Sequence, residues 1–136
     1  MKSFGIWFAL AVAVFGALSG VYHLHVTSHP HLVLVAVDSS FSMQPTWSRV
    51  AEQLERFTRR RYTRFSLITE KTMIHGWMND LRLGKVVPYA PRDFSKLRDR
   101  SAYPELSDAD EKYLLTDTQG AQEAGLQDWT IIKLTP

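Results

Sequence analysis

LVLVAVDSSFSM, residues 32–43, is the stretch whose reading decides the fold. Leu32 to Val37 is an unbroken apolar run rich in Val. A strand at the centre of a parallel sheet is buried on both faces and reads this way, without alternation. The run stops at Asp38, and Ser39, Ser40, Phe41 and Ser42 follow. Beyond them Trp47, Val50, Ala51, Leu54 and Phe57 recur at helical spacing, which predicts a helix from about Thr46 to Arg60 with one apolar stripe. Arg59-Arg60-Arg61 falls at its C-terminal end, where cations oppose the helix dipole. The three arginines also suit phosphate or lipid headgroups.

Working outward, FSLIT (65–69) and TMIHGWM (72–78) read as two strands joined by a tight turn at Glu70-Lys71. Residues 84–104 are poorly patterned and carry three prolines, with at most a short helix near Phe94 to Arg98. Ser107 to Asp110 suits a capped turn. YLLT (113–116) is another buried strand, ending at Asp117. Gln119 to Gln127 allows one or two helical turns, and WTIIKL (129–134) is the last strand. Strand, helix, strand, strand, irregular segment, strand, short helix, strand predicts an α/β fold. Its sheet is open, twisted and mostly parallel, of about five strands with one antiparallel edge strand.

Upstream, Phe4 to Tyr22 is a nineteen-residue stretch without charge. It is just long enough to cross a hydrocarbon core as a helix. Lys2 precedes it and no Lys or Arg follows until Arg49, so the positive-inside rule places the N-terminus in the cytoplasm and the rest outside. Ala17-Leu18-Ser19 also permits a cleaved signal peptide. Either way the domain is exported, into the periplasm in a bacterium. The expected organisation is a single-pass anchor over 1–22, a His-rich juxtamembrane linker over 23–31 and the domain over 32–136. An extended linker puts His23 and His25 on one face, and likewise His29 and His31, a pattern open to a transition metal or to a plain polar spacer. Gly16 and Gly20 are a small-xxx-small pair of the kind that lets helices approach, although chance gives such spacing readily in a Gly/Ala-rich segment.

Composition narrows the chemistry. The 136 residues suit one compact domain plus an appendage. There is no cysteine, which excludes disulfides, thiolate metal sites and thiol nucleophiles. A net charge of +2 gives no argument for nucleic acid, and none is expected as a partner. The charges are uneven: thirteen Lys/Arg against six Asp/Glu between Arg49 and Arg100, then two against seven to the end.

Asp38, Ser40 and Ser42 lie just past the carboxyl end of the first strand, where open α/β sheets bind ligands. Alternate residues in such a turn point the same way, so the three side chains can converge. Asp117 follows a strand expected beside the first, so both loops face one crevice. Two carboxylates and two hydroxyls are hard donors suited to Mg²⁺. The alternative is local: Asp and Ser before a helix cap its free N–H groups, and Asp117-Thr118 suits an ordinary turn.

LVLVAVDSSFSM resembles the first strand and metal-ion-dependent adhesion site of von Willebrand factor A domains, whose pattern is D-x-S-x-S after an apolar strand. The similarity runs on through RFSLITEKTMIHGW and YLLTDTQ and covers roughly Leu32 to Leu134. It implies a Rossmann-like fold in shortened form. It also implies Mg²⁺ or Mn²⁺ held by Asp38, Ser40, Ser42 and Asp117, and adhesion to an acidic group of a protein partner in a membrane or exported complex. Phe41 and Thr118, in the two loops, would meet that partner. Two features depart from the pattern. Phe41 stands where the family has Gly, and no Thr occurs between Gly84 and Tyr113. A metal-free structural or assembly subunit is therefore the second expectation. Catalysis is not expected. Phosphatases of the haloacid dehalogenase type need a second Asp where Ser40 stands, no Ser-His-Asp set is evident, His75 falls inside a strand, and no Gly-rich phosphate loop occurs.

Overall fold

The computed structural model describes residues 2–136. The chain divides into two units, Met1–Pro30 and His31–Pro136. The first is one helix, α1, Lys2–Ser28, of 27 residues and with no buried residue. It is long and apolar enough to cross a membrane, and it fits a membrane anchor or a signal sequence. The helix runs through the segment expected to be an extended linker. Nothing before Pro30 breaks it, and the residue ahead of a proline is the one pushed out of the helical region. His25 and His29 consequently stack, with ring centroids 4.6 Å apart, as helical neighbours rather than extended ones. His31 belongs to the second unit.

That unit is an α/β domain. Its elements are β1 (His31–Val37), α2 (Trp47–Thr58), β2 (Thr63–Thr69), β3 (Met73–Met78), α3 (Glu105–Asp108), β4 (Glu111–Thr116), α4 (Thr118–Glu123) and β5 (Thr130–Lys133). Short 3-10 turns cover Phe41–Thr46 and Ser95–Arg98. The sheet order is β3-β2-β1-β4-β5. β1 pairs in parallel with β2 and β4, β4 pairs in parallel with β5, and β3 is the antiparallel edge. The strand order reverses at β1, and the loops leaving β1 and β4 open on the same edge.

Val33 to Val37 are completely buried, because β1 is covered on both faces. Val33, Val35 and Val37 face one core, filled by Val50, Leu54 and Phe57 of α2 and by Met43. Leu34 and Ala36 face the other, with Phe94, Leu97, Tyr103, Leu106 and Ala124. A fully buried Val or Leu stabilises by about 1.5–3 kcal/mol, so this strand contributes heavily to the sheet. The expected helix at 46–60 is shorter by a turn's fraction at each end, since Phe41–Thr46 winds as 3-10 ahead of it.

Candidate functional site

Loop 38–42 leaves the carboxyl end of β1. Asp38 is wholly buried, and its backbone N–H is held by the Leu115 carbonyl of β4 at 2.9 Å. A buried carboxylate requires donors. Its Oδ1 accepts from the Ser40 N–H at 3.0 Å. Its Oδ2 accepts from Thr116 Oγ1 at 2.7 Å and from the Arg92 Nε–H at 2.7 Å.

Arg92 is the centre of the crevice. Besides Asp38, it donates from Nη2 to Asp117 Oδ1 at 2.7 Å and to Ser42 Oγ at 2.6 Å. The hydroxyls of Ser42 and Ser40 are 3.0 Å apart. Nη1 lies 3.5 Å from Glu123 Oε2, and the Arg92 side chain is only 9 % exposed. One guanidinium therefore joins the loop after β1, the loop after β4 and the end of α4. Burial works against its charge, but hydrogen bonding and charge from Asp38, then from Asp117, more than offset it and hold the pKa above the ordinary arginine value. Burial likewise tends to raise Asp117, yet the Gly120 N–H and Arg92 together keep its carboxyl below the usual range.

The delivery of Arg92 has a local cause. The Tyr89 N–H donates to Ser39 O at 2.7 Å and the Phe41 N–H to Ala90 O at 3.1 Å, so residues 89–92 run along the loop after β1. Ala90 adopts φ +63°, a left-handed conformation that costs a non-glycine residue about 1 kcal/mol. The turn is kept because the contacts around it over-determine it. Gly120 completes the fit. A Cβ there would lie 1.9 Å from Thr116 Oγ1 and 3.1 Å from Arg92 Cζ, so only glycine lets α4 approach this closely. A second buried acid braces the rim: Glu70 accepts from the Ser39 N–H at 2.8 Å and pairs with Lys71.

Among the residues singled out by sequence, Asp38, Ser40, Ser42 and Asp117 meet at one crevice. Asp117 also caps α4, accepting from the Gly120 N–H at 2.7 Å. Phe41 is 60 % exposed at the rim of a cleft of about 330 Å³ that Ser42, Arg92, Gln119 and Glu123 also line. Thr118 opens α4 and is exposed. Arg92 and Thr116 were not anticipated. The lack of a Thr in residues 84–112 was the available sign that this segment brings something else, but no periodicity marks Arg92. His75 lies in β3 and bonds to the Gly76 carbonyl, away from these groups.

The donor set has the hard oxygens of a Mg²⁺ site. As arranged it does not fit the ion, because Asp38 Oδ2, Ser42 Oγ and Asp117 Oδ1 already bond one guanidinium. An octahedral ion with oxygens at about 2.1 Å cannot share that space. No family model, curated protein or solved structure matches the chain.

Proposed function

We propose that this chain is a membrane-tethered, extracytoplasmic interaction module of a membrane or exported protein complex, working as a structural or assembly subunit without a metal ion. The crevice is a shortened von Willebrand factor A-like adhesion site in which Arg92 supplies the positive charge that the family takes from Mg²⁺ or Mn²⁺. The single observation that carries the reading is the guanidinium bonded to Asp38, Ser42 and Asp117 at once. It would fix the two loops in one geometry and present Phe41, beside the cleft, to a protein partner. No catalysis is assigned.

The Mg²⁺-dependent form of the reading has one observation in its favour. Nη1 of Arg92 points toward Glu123, whose side chain is half exposed, at 3.5 Å. An outward swing of Arg92 onto Glu123 would free the oxygens of residues 38, 42 and 117 for an ion.

The test is affinity purification of the full chain in mild detergent, with chelator or with Mg²⁺. The proposal expects the same membrane or exported partners in both. Partners that appear only with Mg²⁺ and vanish in Asp38→Ala would establish the ion-dependent form. Recovery of cytosolic proteins alone would overturn the topology.

A further inference from the structure

The opposite end of the sheet, where β1 begins, carries the Arg59-Arg60-Arg61 run, and these residues do not share one role. Arg60 is committed: it donates to Glu111 Oε2 at 2.9 Å and to the Tyr113 hydroxyl at 3.2 Å. Glu111 is also taken by His31 Nε2 at 3.0 Å, and Asp110 lies 3.4 Å from His31 Nδ1. Glu111 is therefore paired with Arg60, while Asp110 accepts from the Leu32 N–H at 2.9 Å. Arg59 and Arg61 are exposed and have no ion pair among the described residues; Glu55, one turn before Arg59, does not reach it. Tyr62 stands beside them, 41 % exposed and at φ +53°, a conformation that Gly or Asn adopts with less strain.

This end is also where the chain arrives from α1. The His31 N–H donates to the Tyr62 carbonyl at 2.9 Å, so Arg61 and Tyr62 sit directly beside the first residue of β1. His31 follows Ser28, the last residue of α1, by three peptide links, which reach at most about 11 Å. A 27-residue helix is about 40 Å long, against a hydrocarbon core of about 30 Å. If α1 spans, three peptide links tether the start of β1, with Arg61 and Tyr62 beside it, to the membrane surface. Each exposed guanidinium near anionic headgroups gains about 1 kcal/mol, and an exposed tyrosine suits the interfacial layer.

We infer that Arg59, Arg61 and Tyr62 form a docking surface for anionic phospholipid headgroups, which orients the domain on the membrane that anchors it. The inference rests on the anchored reading of α1. The chain has no cysteine, so a single reporter is clean. Arg56→Cys, an exposed position, carries a fluorophore in the full chain, reconstituted into nanodiscs that contain headgroup-labelled quencher lipid. The discs are phosphatidylcholine alone or with about 30 % phosphatidylglycerol. Quenching should be stronger in the anionic discs and fall in about 0.5 M NaCl. Arg59→Gln with Arg61→Gln should lower the docked-to-undocked ratio roughly 30-fold and lower the thermal midpoint by only a few degrees, the share of two exposed cations at the end of α2. Equal quenching in the two lipid compositions overturns the inference. If the chain elutes free of the discs, the anchor reading fails, and the surface is then read by flotation with the same two lipids. Equal flotation overturns it there too.

Discussion

Replacing Arg92 with Met keeps most of the side-chain volume and removes the charge and all three strong hydrogen bonds. What remains decides the cost. Asp117 keeps the Gly120 N–H and is 17 % exposed, so water can solvate part of its charge. Asp38 keeps Ser40 N–H and Thr116 Oγ1 but is 0 % exposed, so its charge is left buried without a counter-charge. Removing one partner of a buried pair costs about 3–5 kcal/mol, and the two remaining donors argue for the lower figure. In a domain of about 100 residues, a loss of about 3 kcal/mol lowers the melting midpoint by about 12–24 °C. Differential scanning calorimetry of the full chain in detergent measures it. One rescue should follow. Mg²⁺ at about 10 mM, now able to enter, should recover about 1 kcal/mol if it binds with millimolar affinity. The unmodified chain should ignore Mg²⁺. A midpoint that rises with Mg²⁺ in the unmodified chain and falls back with chelator would refute the assignment of Arg92 as the resident cation, as would an Arg92→Met midpoint equal to that of the parent.

Gly120→Ala should lower the melting midpoint, because the new Cβ meets Thr116 Oγ1 at 1.9 Å; overpacking of this kind costs about 1–3 kcal/mol, read by denaturant unfolding. Ala90→Gly should be neutral or stabilising by up to about 1 kcal/mol, since relief of the left-handed φ opposes the extra entropy of glycine; a clear loss in the same assay would show that its methyl group packs. The Tyr113 hydroxyl, then Arg60, hold the Glu111 carboxyl down at about 2, against 4.5 unperturbed. A carboxyl whose folded pKa is depressed contributes stability above its unfolded value and loses it as pH falls toward the folded one, so the contribution should fade between pH 4.5 and 2. Glu111 is 39 % exposed, so solvent screening limits this to under about 1 kcal/mol; Glu111→Gln should flatten that part of a stability-versus-pH curve.

Most of the sheet was legible because its signals are local. LVLVAV is short, Val-rich and apolar throughout, the signature of a strand buried on both faces, and the stripe Val50-Leu54-Phe57 has the spacing of one helix face. The edge strand β3 followed from its hairpin. Residues 84–104 were not legible, for a physical reason: Tyr89 and Ala90 make strand-like bonds to Ser39 and Phe41, with no alternating pattern to announce it. Arg92 therefore looked like any surface arginine, although it is among the most buried cations of the domain. The linker was misread because the histidines that follow Tyr22 are polar but do not break helices, and the helix carries on to Ser28. Asp38 and Asp117 were placed beside one another from strand order alone, and the sheet does bring them to one guanidinium. Sequence could not show that both carboxylates already have a cation, Arg92, between them.

The order β3-β2-β1-β4-β5 has a kinetic consequence. β1 lies at the centre of the sheet but is made first, and one of its two neighbours lies far along the chain: Leu32 and Asp110 are 78 residues apart, as are Asp38 and Thr116. A chain emerging from its N-terminus can form β1-α2-β2-β3 early, yet one side of the most apolar strand then waits, unzipped, for β4 to arrive. Loop closure over such a distance is slow, and an unpaired central strand is an invitation to aggregate. The nascent domain would thus depend most on holding factors during the interval between the synthesis of Thr69 and that of Thr116.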